Sequence, residues 1–177
     1  MRKLSLKELN RLDVDAFKKK EKFPVIVVLD NVRSALNVGS AFRTTDAFAL
    51  QEIVLVGISA QPPHREISKT AIGATESVAW TYKETVEEAI DYVKNLGFRI
   101  VPIEQAEHST ALQDFEIINE EKIALVFGNE VKGVSQGFMD KAEGCIEIPQ
   151  FGTKHSLNIS VTIGIISWVF VEKMINI

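Results

Sequence analysis

The stretch Val25-Ile26-Val27-Val28-Leu29-Asp30-Asn31-Val32-Arg33-Ser34-Ala35-Leu36-Asn37-Val38-Gly39-Ser40-Ala41-Phe42-Arg43 decides the fold class. Its first five residues are apolar, mostly β-branched and free of polar alternation. That is the pattern of a strand covered on both faces, as strands of parallel sheets are. A polar turn follows at once, and Val38, Ala41, Phe42, Thr45 and Phe48 then fall on one stripe of a helix. Asn37 is placed to cap that helix, and Gly39 lets a second backbone or a ligand approach its first turn. Free amides at a helix start attract anions, and Arg33 and Arg43 could add forked donors for a phosphate. Alternatively Arg43 pairs with Asp46, three residues on, in a surface contact worth little. These residues alone leave both readings open.

The same alternation continues outward. Ile53–Val56, Ser77–Trp80, Ile100–Ile103, Ile123–Phe127 and Cys145–Ile148 are further strand candidates, Ser77–Trp80 the weakest. Thr85 and Glu88 form a capping box ahead of the stripe Val86, Ala89, Ile90, Val93 and Leu96, and Gly97 suits the end of that helix. Residues 157–174 read as an apolar closing helix, with Ser156 as its cap. The whole is an α/β protein with a mostly parallel sheet of six strands flanked by helices. Ile58–Thr75 and Gln105–Glu121 are the long non-periodic stretches. Ligands of such sheets sit beyond the carboxyl ends of the strands, here after Leu29, Ile103, Phe127 and Ile148.

Before Pro24, Ser5 and Glu8 form a second capping box, and Leu9, Leu12, Ala16 and Phe17 recur at helical spacing, so residues 6–20 read as one amphipathic helix. Residues 1–23 thus form a basic helical arm and residues 24–177 the main domain. The chain of 177 residues carries a net charge of −4. Taken whole, that argues against a dedicated nucleic-acid binder. The total hides an asymmetry: residues 1–23 hold eight basic and four acidic side chains, leaving 12 basic and 20 acidic in the rest. One cysteine, Cys145, excludes an internal disulfide framework, and the three scattered histidines offer no metal-ligand spacing, so no metal is expected. The most apolar run, Val161–Val171, is too short for a bilayer, which takes about 20 residues. With no signal-peptide pattern, a soluble cytoplasmic protein without a membrane partner is the expectation.

Two later segments could carry chemistry. In Phe127-Gly128-Asn129-Glu130-Val131-Lys132-Gly133-Val134, a glycine-bracketed turn after a strand can wrap backbone groups around a small ligand. It lacks the lysine that a phosphate-binding loop carries after its second glycine, which weakens a nucleotide-hydrolase reading. In Ile148-Pro149-Gln150-Phe151-Gly152-Thr153-Lys154-His155-Ser156-Leu157-Asn158-Ile159-Ser160 there are more hydrogen-bonding side chains than a helix cap needs. His155 beside Ser156 does not make a triad, because adjacent residues cannot adopt that geometry, and no nucleophile elbow is present.

Together, in this order, the segments resemble the motifs of SPOUT-superfamily RNA methyltransferases of the TrmH type. The first motif of that family is matched by Asn31 and Asn37-Val38-Gly39-Ser40-Ala41-Phe42-Arg43-Thr44. The second is matched by Phe127-Gly128-Asn129-Glu130-Val131-Lys132-Gly133, and the third by Ile148-Pro149 with Ser156-Leu157-Asn158-Ile159-Ser160. The resemblance spans about residues 24–175. It implies transfer of a methyl group from S-adenosylmethionine to a ribose 2′-hydroxyl of RNA, with tRNA favoured over rRNA. It also implies a homodimer and a C-terminal third threaded into a deep trefoil knot. Gly128, Ile148 and Leu157 would hold the cofactor, with Ile103 and Glu104 nearby. Arg43 would be the catalytic arginine and Asn37 would orient it, with Glu130, Ser156 and Asn158 completing the catalytic set. Asn31, Arg33, Lys132 and Lys154 would meet the RNA. A non-catalytic RNA- or cofactor-binding module, an rRNA enzyme and a methylase of base nitrogens are the competing readings.

The charge asymmetry fits this resemblance. Six of the 12 basic residues after position 23 (Arg33, Arg43, Arg65, Lys69, Lys132, Lys154) lie in or beside the candidate loops, while acidic residues gather in 84–91 and 114–121. With the basic arm they would form an RNA-facing surface of strongly salt-dependent affinity. Neutralising Lys18, Lys19, Lys20 and Lys22 is therefore expected to weaken RNA binding while sparing cofactor binding. Filter-binding and calorimetric titrations check this, and unchanged RNA affinity would reduce the arm to a solvated helix end.

Overall fold

A computed structural model describes residues 1–118 and 121–175, with only the backbone of Leu6 and Lys7. Part of the acidic stretch 114–121 and the last two residues of the main domain therefore lie outside the described residues. Seven strands form one parallel sheet: β1 (Phe23–Asp30), β2 (Leu50–Val56), β3 (Trp80–Lys83), β4 (Arg99–Ile103), β5 (Thr110–Ala111), β6 (Ile123–Phe127) and β7 (Ile146–Glu147). Their order across the sheet is β3-β2-β1-β6-β4-β7-β5. The chain steps outward from β1 to β3, crosses to β4 on the other side, and later inserts β6 between β1 and β4. The ends of three neighbours are level, Leu29 facing Phe127 and Ile103 facing the same Phe127.

Continuous apolar runs are needed because both faces are covered. Val25, Val27 and Leu29 point with Ile123, Leu125 and Phe127 into one core. The helices over it are α2 (Ala35–Ala47), α3 (Arg65–Ala71) and α7 (Ile159–Ile175). Ile26, Val28, Ala124 and Val126 point the other way, onto α5 (Val86–Asn95) and α6 (Gln136–Lys141). The short helices α1 (Val14–Lys19) and α4 (Ala74–Ser77) complete the chain. Among the described residues no helix is long and apolar enough to cross a membrane.

The expected α/β architecture is present, with four corrections. The sheet has seven strands rather than six, because Thr110–Ala111 adds a two-residue strand on Ile146–Glu147 that is too short to leave an alternation. The weak strand lies at Trp80–Lys83 rather than Ser77–Trp80. Ser77 ends α4 instead, its hydroxyl donating to Asp46 and to the Ala74 carbonyl. The stretch 58–75 is not all loop: α3 forms there, with only Ile67 and Ala71 buried, too few to make a visible stripe. The single arm helix 6–20 is broken into a 3-10 turn at Leu6–Leu9 and α1, with Asn10 at φ 45° and Asp13 capping α1 through the Ala16 amide.

Gly39 meets a second backbone rather than a ligand. A Cβ there would lie 2.1 Å from Thr70 Oγ1 and 2.4 Å from the Ile67 carbonyl oxygen, both on α3. Thr70 Oγ1 uses the closeness to donate to the Leu36 carbonyl of α2 at 2.9 Å. Since a helix backbone cannot yield to a methyl, Gly39→Ala should cost about 1–3 kcal/mol of stability. In urea unfolding this appears as a lower midpoint at unchanged slope, and a midpoint equal to wild type would refute the contact.

Candidate active site

Three strands end level, and each must turn its backbone away without stranding polar groups. After β6 the chain doubles back within six residues: Asn129 and Gly133 exchange amide and carbonyl bonds at 3.0 and 2.9 Å. The Asn129 side chain accepts from the Val131 and Lys132 amides at 2.9 and 3.0 Å. A Cβ on Gly128 would lie 2.2 Å from both the Gly133 carbonyl carbon and the Val134 nitrogen, so this closure admits glycine alone. Gly133 takes φ 70°, the left-handed region that suits glycine.

Three carboxylates hold the turn. Buried Asp30, at the end of β1, accepts from the Ser135 amide at 2.6 Å and the Ser135 hydroxyl at 3.0 Å. Glu104, after β4, accepts from the Val134 amide at 3.1 Å and from the Gln105 amide at 2.9 Å. Glu130 reaches outward to the start of α2, accepting from the Arg33 amide at 2.9 Å, the Ser34 amide at 3.1 Å and Asn37 Nδ2 at 3.1 Å. Burial works to raise the Glu130 carboxyl, but the amide of Arg33, with those of Glu130, Asn37 and Ser34, outweighs it and holds the group below its ordinary 4.5.

Between this turn, the ends of β4 and β7 and the start of α7 lies a cavity of about 470 Å³. Its apolar lining comes from Ile103, Phe127, Ile146, Ile148, Leu157 and Ile159, and its polar lining includes Glu104, Glu147, Gln150, Ser156 and Asn158. That is within the usual size of a small-molecule site, about 300–1,000 Å³. Among the described residues no group of acidic, histidine or cysteine side chains could hold a metal ion.

All five residues expected at the cofactor (Gly128, Ile148, Leu157, Ile103, Glu104) line this cavity, as do Glu130, Ser156 and Asn158. The remaining sequence candidates do not. Asn37 is not the helix cap. Ser34 is, its hydroxyl accepting from the Asn37 amide at 3.3 Å, which frees the Asn37 side chain for Glu130. Likewise Ser156 does not cap α7: Asn158 Oδ1 accepts from the Ser160 amide at 2.9 Å. Asn31, at φ 55°, spends its amide within the loop, donating to Asp30 and accepting from the Ile58 amide. The side chains of Arg33, Lys132 and Lys154 are exposed.

Arg43 lies six residues beyond Asn37, about 9 Å along α2. It is exposed and, among the described residues, makes no hydrogen bond or ion pair, so the Arg43–Asp46 pair does not form. Sequence reasoning missed Asp30, Gln105 and Glu147. Asp30 did leave a signal, a lone acid closing an apolar strand, whereas nothing in the local pattern marks the other two.

The chain belongs to the SpoU rRNA methylase family, whose sequence model matches residues 24–168. An uncharacterised tRNA/rRNA methyltransferase of Borreliella burgdorferi is 29% identical over 93% of this chain and 70% of its own length. The TrmH/SpoU tRNA-modifying enzyme of A. aeolicus superposes with a TM-score of 0.78 at 26% identity, over 92% of this chain and 83% of that one. An rRNA methyltransferase of Sinorhizobium meliloti, solved with AdoMet bound, gives a TM-score of 0.78 at 25% identity, over 86% of this chain and 58% of that one. The chain spans about three fifths of the length of several proteins it matches.

The Glu130 contacts carry a pH dependence. A carboxyl whose folded value is depressed contributes at neutral pH and loses that contribution as pH falls through the folded value. The Arg33 and Ser34 amide resonances should therefore titrate together with a midpoint below 4.5, and in Glu130→Gln this step should vanish. A midpoint at or above 4.5 in a proton–nitrogen NMR titration would contradict the assigned bonds.

Proposed function

We propose that the chain is an S-adenosylmethionine-dependent RNA methyltransferase acting on a ribose 2′-hydroxyl, with tRNA favoured over rRNA as substrate. The observation that carries this reading is the direct tie, through Glu130, between the cavity and the helix that presents unpaired Arg43. The residues present suit the cofactor. Apolar walls from Ile103, Ile148 and Leu157 match an adenine ring, the backbone about Gly128, Ile148 and Leu157 offers hydrogen-bonding groups, and Glu104 and Glu147 set negative charge beside a cationic sulfonium. When bound, that cofactor supplies an electrophilic methyl group for direct displacement.

The rest is the work of this chain. A free arginine holds its proton too tightly to be a base. In this reading a phosphate of the RNA engages Arg43 and positions it to take the 2′-hydroxyl proton. Among the described residues no carboxylate pairs with that guanidinium. Asn37, fixed by Glu130, orients the arginine or the ribose, Ser156 and Asn158 line the approach, and Asn31, Arg33, Lys132 and Lys154 hold RNA. Positioning and proton removal are the protein's contributions.

The 9 Å offset of Arg43 favours a second reading, a binding module without catalysis, unless a second copy completes the site. A homodimer is supported by α7, apolar all round, which leaves Val161 48% and Trp168 52% exposed while its other side fills the core. The Trp168 ring packs against Phe48, at the end of α2, with centroids 5.9 Å apart and planes tilted by 45°. Since α7 begins at the cavity, a copy seated on this face lies beside it and can lend its Arg43. The reading also includes the knot, with the segment after β6 threaded through an earlier loop; the insertion of β6 between β1 and β4 supports it. Residues 24–177 would be the catalytic domain, residues 1–23 an RNA-contacting arm, and the cytoplasm the compartment.

With labelled methyl donor and separate tRNA and rRNA pools, nucleoside analysis should find label on 2′-O-methylated nucleosides of tRNA. Arg43→Ala should lower the rate by about 10²–10⁴, and mixing it with a Leu157→Glu cavity variant should restore part of the activity. Label on bases would overturn the ribose assignment, label in rRNA alone would overturn the tRNA preference, and no recovery on mixing would return Arg43 to its own chain's cavity.

A further inference from the structure

Phe151 is 97% exposed, although it sits between Gln150, which lines the cavity, and a run of polar residues. Residues 151–158 are exposed without interruption, and the loop is tied to the end of β4 by Gln105 Nε2 donating to the His155 carbonyl at 2.9 Å. The core offers Phe151 nothing, so its position costs the fold apolar exposure with no packing in return. Phe151 is also not a lining residue of the cavity that its neighbours Ile148, Gln150, Ser156 and Leu157 form. It stands at the rim with a free ring.

Charge narrows what can cover that ring. The segment 148–160 contains Lys154 and His155 and no acidic residue. Lys132 is exposed on the turn that forms another wall of the same cavity. An exposed aromatic ring three residues before exposed Lys154, in a loop beside a cavity at the sheet's carboxyl end, matches a stacking platform for an unpaired base whose phosphate meets the lysine.

We infer that Phe151 is a base-stacking residue: it holds one unpaired nucleobase of the RNA against the rim of the cavity, with Lys154 on the adjoining phosphate. This rests on the RNA methyltransferase reading and deepens it, because a splayed-out base beside the cavity presents its own ribose to the methyl donor. Recognition is of single-stranded nucleotides in a loop, and stacking tolerates any base.

Phe151→Ala should lower affinity for a tRNA pool about 5- to 30-fold, leave S-adenosylmethionine affinity unchanged and leave the oligomeric state intact, and Phe151→Tyr should restore RNA binding. A Phe151→Trp variant supplies a readout independent of methyl transfer. Against the wild-type background, its added indole emission should be quenched by a short single-stranded oligoadenylate and not by the same strand in a duplex. Equal quenching by duplex, unchanged RNA affinity of Phe151→Ala, or a parallel loss of cofactor affinity would each overturn the assignment. Dissociation of the protein by Phe151→Ala would overturn it in favour of a subunit contact. Quenching by single strands with no methyl transfer to any RNA would retain the platform and remove the enzyme reading.

Discussion

Acceptors for stranded backbone amides are what this molecule depends on at its functional end. A parallel strand that stops at a crowded edge leaves amides in the following turn with no ladder partner, and a buried amide left so costs about 1–3 kcal/mol. The turns after β6 and β1 meet that problem beside a third strand end: Asp30 and Glu104 accept from amides of the first, and Glu130 from amides of the second. Each carboxylate belongs to a different loop, so satisfying the amides also locks the loops together. The cavity is the space these constraints leave, which explains why its lining comes from four separated stretches of sequence. Gly128 and Gly133 belong to the same solution, since any side chain at Gly128 would occupy the place of the returning backbone.

That arrangement separates holding from reacting. Asp30 and the Glu104 carboxylate are spent on amides, and Asn31 Oδ1 accepts from the Ile58 amide after β2, so these groups hold the loops in place. Glu130 does both kinds of work: it belongs to the cavity wall and fixes the start of α2. Through the rigid helix it sets where Arg43 stands, although the two side chains do not touch. A shift of the turn after β6 is thereby a shift of α2.

The architecture was legible wherever a segment is long and buried on both faces, as in Val25–Leu29 and Ile123–Phe127, because the apolar run directly reflects two-sided covering. It was illegible where the structure rests on few residues. Thr110–Ala111 adds only two residues to the sheet, and α3 buries only Ile67 and Ala71 and meets Gly39 of α2 through the Ile67 backbone and the Thr70 hydroxyl, a long-range fit with no local trace. Cap assignments failed for a related reason. Ser34 and Asn37 are both good caps locally, and it is Glu130, distant in sequence, that draws Asn37 away and leaves the cap to Ser34. The five residues expected at a cofactor line one cavity and Arg43 does not, because motif order says nothing about which way a helix points its third turn.

Net charge also means something different once the loops are in place. The chain totals −4, yet no acidic residue falls between positions 148 and 160, and of the three carboxylates on the cavity wall, Glu104, Glu130 and Glu147, the first two are occupied by amides. An amide-bound carboxylate has part of its charge offset by local dipoles, so it weakens the field of Lys132 and Lys154 less than its formal charge suggests. At physiological salt the Debye length is about 8 Å, and acidic groups on distant helices are screened from a polyanion approaching the rim. What a nucleic acid meets is the local surface: exposed lysines, a free arginine and an uncovered aromatic ring. Most acidic residues stand on other elements, so the whole protein is anionic while Lys132 and Lys154, which in the proposed function meet one strand, remain exposed beside the cavity.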